Sequence, residues 1–132
     1  MEEENNYIAK SISLRENVAG LLSYLVLWVS GVIIYLLEKQ NYFIRFHALQ
    51  SIVFFGGATI IFLILAGIDW VLIITDAWQI AWFSLVLYII DFLAGLLLLV
   101  VLLAWITLMN KAYQGETFKL PVIGDFVAQR ME

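Results

Sequence analysis

The segment 45–51, RFHALQS, carries the densest group of polar side chains within the apolar part of this 132-residue sequence. His47, Gln50 and Ser51 stand at i, i+3 and i+4, so on a helix they share one face, whereas Arg45 lies on another. Such a face can bind a lipid headgroup or a substrate, or it can hydrogen-bond a neighbouring helix. We expect the second use, with Arg45 reaching lipid phosphates along its aliphatic stem.

The residue types present argue against catalysis. His47 is the only histidine and there is no cysteine, so the chain lacks the ligands for a zinc site and has no thiolate nucleophile. Asp91 invites a functional interpretation, because an acid inside a membrane often marks a proton path. Counting about 20 residues back from Lys111 places Asp91 at the outer interface instead. We therefore expect no enzyme activity, no metal and no cofactor.

The composition is that of a membrane protein. Hydrophobic residues make up 64% of the chain and charged residues 14%, against about 45–50% and 25% in soluble domains. These values exclude a water-soluble monomer and a disordered chain. Aromatic residues make up 15% of the chain and include five Trp, which suits a bilayer with aromatic side chains at its interfaces. The net charge of −4 argues against nucleic acid as a partner.

Apolar runs separated by polar residues predict an all-α, polytopic helical membrane protein with a single membrane domain. A run of about 20 apolar residues makes a helix that crosses one bilayer core. The predicted segments are a polar N-terminal segment 1–16, transmembrane helices over 18–37, 43–68 and 91–110, an undecided region 70–90, and a cytoplasmic tail 111–132.

The region 70–90 leaves two topologies open. In the first, it lies along the interface or extends the flanking helices out of the bilayer, and the protein has three spans. In the second, it crosses as an extra helix, and the protein has four. On a helix, Thr75, Asp76 and Gln79 fall on roughly one half of the surface while the Trp residues cluster on the other. This amphipathic pattern favours the three-span assignment.

The basic residues predict which side of the membrane holds the C-terminal tail. Cytoplasmic flanks carry an excess of Lys and Arg. Under either topology five basic residues share the side of the tail and two lie opposite. The tail contributes Lys111, Lys119 and Arg130, joined by Lys39 and Arg45 with three spans, or by Lys10 and Arg15 with four. We therefore expect a multi-pass protein of the cell membrane whose C-terminus is cytoplasmic.

Small residues mark the faces through which the predicted helices pack. Helices in lipid associate closely where small side chains let their backbones approach, because burial from water no longer drives them together. The candidates are Gly20, Ser23, Ser30 and Gly31 in the first helix, Gly56 and Gly57 in the second, and Ala94 and Gly95 in the last.

The tail is expected to be ordered rather than loose. Its stretch 118–123, FKLPVI, is too apolar for a free segment, and Pro121 stiffens it. With three spans, the tail and the RFHALQS segment lie on the same side of the membrane. There Arg45 and Lys119 could meet Glu116 and Asp125. The candidate interaction cluster consists of these four residues together with His47, Gln50 and Ser51.

Four sequence blocks resemble a known family. They are ENVAGLL at 16–22, RFHALQS at 45–51, KAYQGE at 111–116 and KLPVIGD at 119–125. In this order they are similar to a prokaryotic family of small, mostly uncharacterised membrane proteins. That family is held to be related to the twenty-kilodalton Tic subunit of the chloroplast inner-envelope import translocon. The resemblance covers roughly residues 14–126 and implies an all-helical membrane protein, with three spans in short members and four in the plastid relatives. It carries no catalytic residues across.

The resulting hypothesis is a small, non-catalytic interaction or scaffold subunit. Its expected partners are membrane lipid and either a second copy or another membrane protein. The alternative is a pore-forming or accessory component of a protein-translocation or transport complex. A pore needs a continuous polar stripe, and the first helix offers little beyond Ser23 and Ser30. A headgroup site would need a cluster of four or more basic residues, which the sequence lacks.

Overall fold

The protein is described by a computed structural model, which covers the backbone of residues 1–131 and the side chains of residues 1–3 and 15–131. Most of the predicted polar segment 1–16, including Lys10, therefore lies outside the described side chains. The described chain consists of helices, so the predicted all-α fold class is confirmed. The helices are α1 (Glu2–Leu25), α2 (Leu27–Leu37), α3 (Tyr42–Ile74), α4 (Ala81–Tyr113) and α5 (Ile123–Met131), with a 3₁₀ turn at Ala77–Gln79.

Two helices, α3 and α4, have the length and apolar composition needed to cross a membrane. Each has 33 residues, or about 50 Å of helix, more than the ~30 Å of a bilayer core. Their Leu, Ile and Val side chains are largely exposed, as on Leu63 and Leu96, which is typical of a surface that faces lipid. The other apolar helix, α2, has only 11 residues.

The region 70–90 is neither a separate interfacial helix nor an extra crossing. Helix α3 continues to Ile74, and α4 begins at Ala81 and runs without interruption past Asp91. The chain reverses between them through Asp76, whose φ of 53° is left-handed. Of the alternatives left open, the structure matches the one in which 70–90 extends the flanking helices. Polar side chains at the turn, rather than an amphipathic helix, explain the pattern seen in the sequence.

The described chain divides into two compact units rather than one domain. Unit 1 comprises Met1–Gly56 and Ala104–Glu132, and unit 2 comprises Gly57–Leu103. Unit 2 holds the ends of α3 and α4 that flank the turn. Unit 1 holds nearly all the fully buried side chains, including Tyr24, Phe46 and His47.

The predicted first span, 18–37, is not one continuous helix. It breaks at Val26 and Leu27, where Leu27 has a φ of 51°, and α1 and α2 pack against each other. The ends of this helical pair meet, because Asn41 Nδ2 donates to Glu16 Oε1 over 2.7 Å. The segment therefore enters and returns on one side. The predicted continuous helix over 18–37 is therefore corrected to a hairpin of two helices, of which α2 is about 16 Å long.

Side chains from three helices replace the backbone hydrogen bonds lost at this hairpin's tip. Trp105 Nε1 donates to Tyr24 O over 2.7 Å, and Ser51 Oγ donates to Leu27 O over 2.7 Å. Ser30 Oγ accepts from the N–H of Val26 over 3.0 Å. Unpaired backbone groups are costly at membrane depth, so an interrupted helix persists only where neighbours supply partners. No glycine or proline marks this break, which is why the sequence pattern missed it.

Candidate functional site

The polar side chains of the RFHALQS segment lie at the centre of unit 1. Tyr24, His47, Gln50 and Ser51 are all fully buried. His47, Gln50 and Ser51 lie in the first three turns of α3, and Tyr24 lies near the end of α1; the chain that follows α4 packs against them. Buried polar groups must find hydrogen-bond partners, so their partners indicate what this cluster does.

His47 uses both of its ring nitrogens. Nδ1 lies 2.9 Å from Tyr24 Oη, and Nε2 lies 3.1 Å from the backbone oxygen of Glu116. A carbonyl oxygen only accepts, so Nε2 carries the hydrogen and Nδ1 accepts from the Tyr24 hydroxyl. This assignment makes His47 a neutral imidazole that connects α1 to the tail.

Gln50 continues the same network. Its Nε2 donates to Phe118 O over 3.0 Å and to Tyr24 Oη over 3.2 Å. Its Oε1 accepts from the N–H of Leu120 over 3.2 Å. We call this arrangement the tail clamp: the side chains of Tyr24, His47 and Gln50 holding the backbone of Glu116, Phe118 and Leu120.

The first and third sequence blocks also meet in unit 1. Asn17 Nδ2 donates to Tyr113 O at the end of α4 over 3.0 Å. Gly115 follows with a φ of +78°, and a Cβ there would lie 3.0 Å from Asn17 Oδ1, so this position favours glycine on both counts. Asn17 was not among the predicted site residues. Its position in the ENVAGLL block was the available signal.

Helix α5 packs against the RFHALQS segment through Phe46. Phe46, Val127 and Ala128 form a buried apolar cluster there. Gly124 permits the approach of the preceding chain, since a Cβ on it would lie 2.5 Å from Lys119 Cβ. The tail is thus held to α3 both by the polar contacts of the tail clamp and by the apolar contacts of α5.

The charged members of the predicted cluster pair only in part as expected. Lys119 Nζ lies 3.7 Å from Asp125 Oδ1, while Glu116 Oε2 accepts from Lys111 over 2.7 Å. Arg45 meets neither acid. It leaves α3 on a different face from His47 and donates to the backbone of the 38–41 connection instead. Both ion pairs are exposed to a third or more and contribute little to stability.

The predicted packing residues divide into two groups. A Cβ on Gly20 would lie 2.8 Å from Phe43 Cε1, and one on Gly31 would lie 2.9 Å from Ala48 O. Ser23 and Ser30 bond to backbone carbonyls of the hairpin itself. The remaining candidates make few close contacts within the described chain: Gly57 and Gly95 have no described atom within 4 Å of an added Cβ, Gly56 has one at 4.0 Å, and Ala94 is half-buried. Small size alone does not show which face meets a neighbour.

The hydrogen bonds that these side chains make restrict metal binding. The residues that the structure describes contain no group of three or more His, Cys, Asp or Glu placed to hold a metal ion. Both nitrogens of His47 are engaged in the tail clamp. The tail clamp can fix a backbone segment. Because both ring nitrogens of His47 have hydrogen-bond partners, His47 offers no free base or nucleophile.

Comparison with known proteins identifies relatives among archaeal membrane proteins. The chain is 41% identical to the UPF0132 membrane protein MJ1443 of Methanocaldococcus jannaschii over 119 residues, which cover 90% of this chain and 91% of that protein. It is 37% identical to a UPF0132 membrane protein of Archaeoglobus fulgidus over 118 residues, or 89% and 97% of the two chains. A second M. jannaschii protein, UPF0132 membrane protein MJ1527, is 36% identical over 121 residues, or 91% and 72%.

No protein-family model and no solved structure matches the chain. The relatives confirm the expected membrane protein of a prokaryotic family. The two M. jannaschii proteins and the A. fulgidus protein each match about nine tenths of this chain. This chain belongs to the UPF0132 family of membrane proteins.

Proposed function

We propose that this chain is a non-catalytic interaction or scaffold subunit that offers its docked tail to another membrane protein. The observation that supports this function is the tail clamp. Three buried side chains from two helices are spent on holding the backbone of residues 116–120. A segment held so firmly at the membrane surface serves recognition better than chemistry, because its polar groups are already paired.

The surface next to the tail clamp exposes apolar side chains. Val122 is 82% exposed and has a φ of 67°, a conformation that is unusual for a β-branched residue. Phe126, one turn into α5, is 47% exposed. Exposed apolar side chains beside polar ones are common at protein–protein contacts. We assign Val122 and Phe126 to the contact surface.

Site-specific photo-crosslinking in native membranes tests this role. A photoreactive phenylalanine analogue at Val122 should give one discrete protein adduct, whose mass shows whether the partner is a second copy or a different protein. The same analogue at the buried Val127 is the control and should give none. His47→Ala should weaken the Val122 adduct by releasing the tail. Absence of any protein adduct at both Val122 and Phe126 would contradict the proposal.

We also propose a topology with two crossings, α3 and α4, beside the re-entrant hairpin. This replaces the expected three spans, since the hairpin returns to the side on which it starts. From residue 15 onwards, every basic residue then lies on one side, which the charge rule assigns to the cytoplasm. These residues are Arg15, Lys39, Arg45, Lys111, Lys119 and Arg130.

A second candidate function, an accessory component of a translocation or transport complex, is supported by the hairpin. Interrupted helices at membrane depth occur in channels and transporters, and the sequence blocks resemble the Tic-related family. Against a pore stands the use of Ser30 and Ser51, whose hydroxyls bond to the backbone of the hairpin. Protein-dependent ion flux into liposomes would favour this candidate, and the interaction role predicts none.

A further inference from the structure

We propose that unit 1 binds the phosphate of an anionic lipid headgroup in a cleft lined by Lys39, Arg45 and Arg130. We call this the basic cleft. The inference does not depend on the proposed interaction role, because its ligand is a lipid phosphate held by the three cations, although the two surfaces share Phe126 at their border. The sequence shows no run of basic residues, and the cleft exists only because three distant segments fold together.

The three cations come from three separate elements. Lys39 lies in the connection between α2 and α3, Arg45 in the first turn of α3, and Arg130 in the last turn of α5. They line one cavity of about 370 Å³, together with Gln40, Tyr42 and Met131. Small-molecule sites commonly begin at about 300 Å³, so the cavity has room for a phosphate and part of its ester.

Arg45 is held ready for a ligand. Its Nη1 donates to Lys39 O over 3.1 Å, and its Nη2 donates to Tyr35 Oη over 3.0 Å. The guanidinium also lies 4.7 Å from the Tyr35 ring centroid. A guanidinium has five N–H donors, and these contacts use two of them. A side chain fixed in this way loses little conformational freedom when it binds phosphate.

The positive charge of the basic cleft is not neutralised by the described part of the chain. Its two ion pairs involve Lys111 and Lys119 and leave the three cleft cations unpaired. The acid beside the cleft is Glu38, whose Oε1 accepts from the N–H groups of Asn41 and Gln40. Those two hydrogen bonds lower the pKa of Glu38, and Arg45 lowers it further. Among the described side chains, three cations therefore line the cleft beside the Glu38 carboxylate, which is turned towards the backbone, and this arrangement favours an anion.

An adjoining cavity, lined in part by apolar side chains, favours a lipid over a free anion. Tyr35, Leu49, Phe126 and Arg130 line this second space of about 360 Å³, so Arg130 borders both. Arg45 begins a long apolar helix, which places the basic cleft at the depth of lipid headgroups. A phospholipid can put its phosphate among the cations and its glycerol and first methylene groups against Leu49 and Phe126.

Native mass spectrometry of the full chain in uncharged detergent tests this site. Dioleoyl phosphatidylglycerol is the probe, and its dissociation constant is measured by titration. One basic residue near a membrane surface contributes about fivefold to the affinity for anionic lipid. We therefore expect Arg130→Gln to weaken binding about fivefold and the double variant Arg45→Gln with Arg130→Gln about 25-fold. Lys119→Gln removes the same charge outside the cleft and should leave the affinity unchanged.

Arg130→Gln alone can decide the test. Arg45 also secures the connection between α2 and α3, whereas Arg130 contacts the ring of Phe126 and makes no hydrogen bond within the described residues. An unchanged affinity for Arg130→Gln, or an equal loss for Lys119→Gln, would overturn the site. Displacement of the lipid by millimolar inorganic phosphate would show that a free anion is the ligand and overturn the lipid assignment. Failure of phosphate to compete, with loss in Arg130→Gln, is the expected result.

Discussion

At the scale of single residues, the tail clamp works because each buried group has a partner of the right polarity. Tyr24 donates to His47 and accepts from Gln50, and both of these side chains reach the tail backbone. Hydrogen bonds between neutral groups contribute about 1 kcal/mol each, while a buried group that loses its partner costs more. The network therefore specifies one position of the tail rather than adding a large stabilisation.

His47 provides the first prediction. Gln can donate and accept from one side chain as His47 does, so His47→Gln should lower the free energy of unfolding by on the order of 1 kcal/mol. His47→Ala leaves Tyr24 and the Glu116 carbonyl without partners and opens a cavity, so we expect about 3 kcal/mol. Denaturation in detergent measures both. Equal effects would show that the ring's hydrogen bonds are unimportant.

Glu38 provides a pH dependence outside the membrane-spanning helices. The N–H groups of Asn41 and Gln40 lower the pKa of its carboxyl from the ordinary value of 4.5. A lowered folded-state pKa means that the stabilisation is complete above 4.5 and is lost as pH falls through the folded-state value. The amide NMR signals of Gln40 and Asn41 should follow this titration, with a midpoint below 4.5. The same signals should not titrate in Glu38→Gln, and titration there would refute the assignment.

At the scale of elements, the hairpin formed by α1 and α2 depends on close approach to α3. Gly31 faces the Ala48 carbonyl and the Ser51 side chain. Because the Ala48 carbonyl belongs to the backbone of α3, it cannot rotate away from a larger side chain. Gly57 lies on the same helix as those neighbours but has no described atom near it. A substitution at Gly31 therefore tests the steric contact between α2 and α3, whereas a substitution at Gly57 tests the helix propensity of the residue.

This difference gives a matched pair of substitutions. Gly31→Ala should destabilise the protein by about 1–3 kcal/mol, the usual cost of overpacking. Gly57→Ala should be neutral or stabilising by up to about 1 kcal/mol, because alanine is the better helix former. Thermal unfolding in detergent compares them directly. A larger loss for Gly57→Ala would mean that a partner not in the chain covers that face.

At the scale of the whole molecule, the membrane topology follows from the hairpin. If α1 and α2 return to one side, the N-terminus, the 38–41 connection and the tail all lie together. The turn between α3 and α4 lies on the other side. A continuous first span would instead place the N-terminus with that turn.

Single cysteines distinguish the two topologies, since the chain has none of its own. An impermeant maleimide applied outside intact cells should label Gln79→Cys and leave Gln40→Cys and Gln114→Cys unlabelled until the membrane is opened. Glu3→Cys should behave like Gln40→Cys. Labelling of Glu3→Cys from the same side as Gln79→Cys would restore the three-span topology and contradict the re-entrant hairpin.

The sequence by itself determined the class of the molecule and the identity of its important blocks. Composition required a membrane, and apolar run length located helices near α3 and α4, because both depend only on local residue content. The i, i+3, i+4 spacing brought His47, Gln50 and Ser51 to one face for the same reason. Tail order was foreseen from the apolar stretch around Pro121.

Only the tertiary structure decided where those groups are used. The break at Val26–Leu27 has no local signal, because the donors that stabilise it are Ser51 and Trp105, far away in the chain. The basic cleft likewise needs Lys39, Arg45 and Arg130 to meet, which no spacing predicts. Run length counts apolar residues but does not show direction, so a hairpin that returns and a helix that crosses have the same hydropathy. Their difference lies in long-range hydrogen bonds, which exist only after folding.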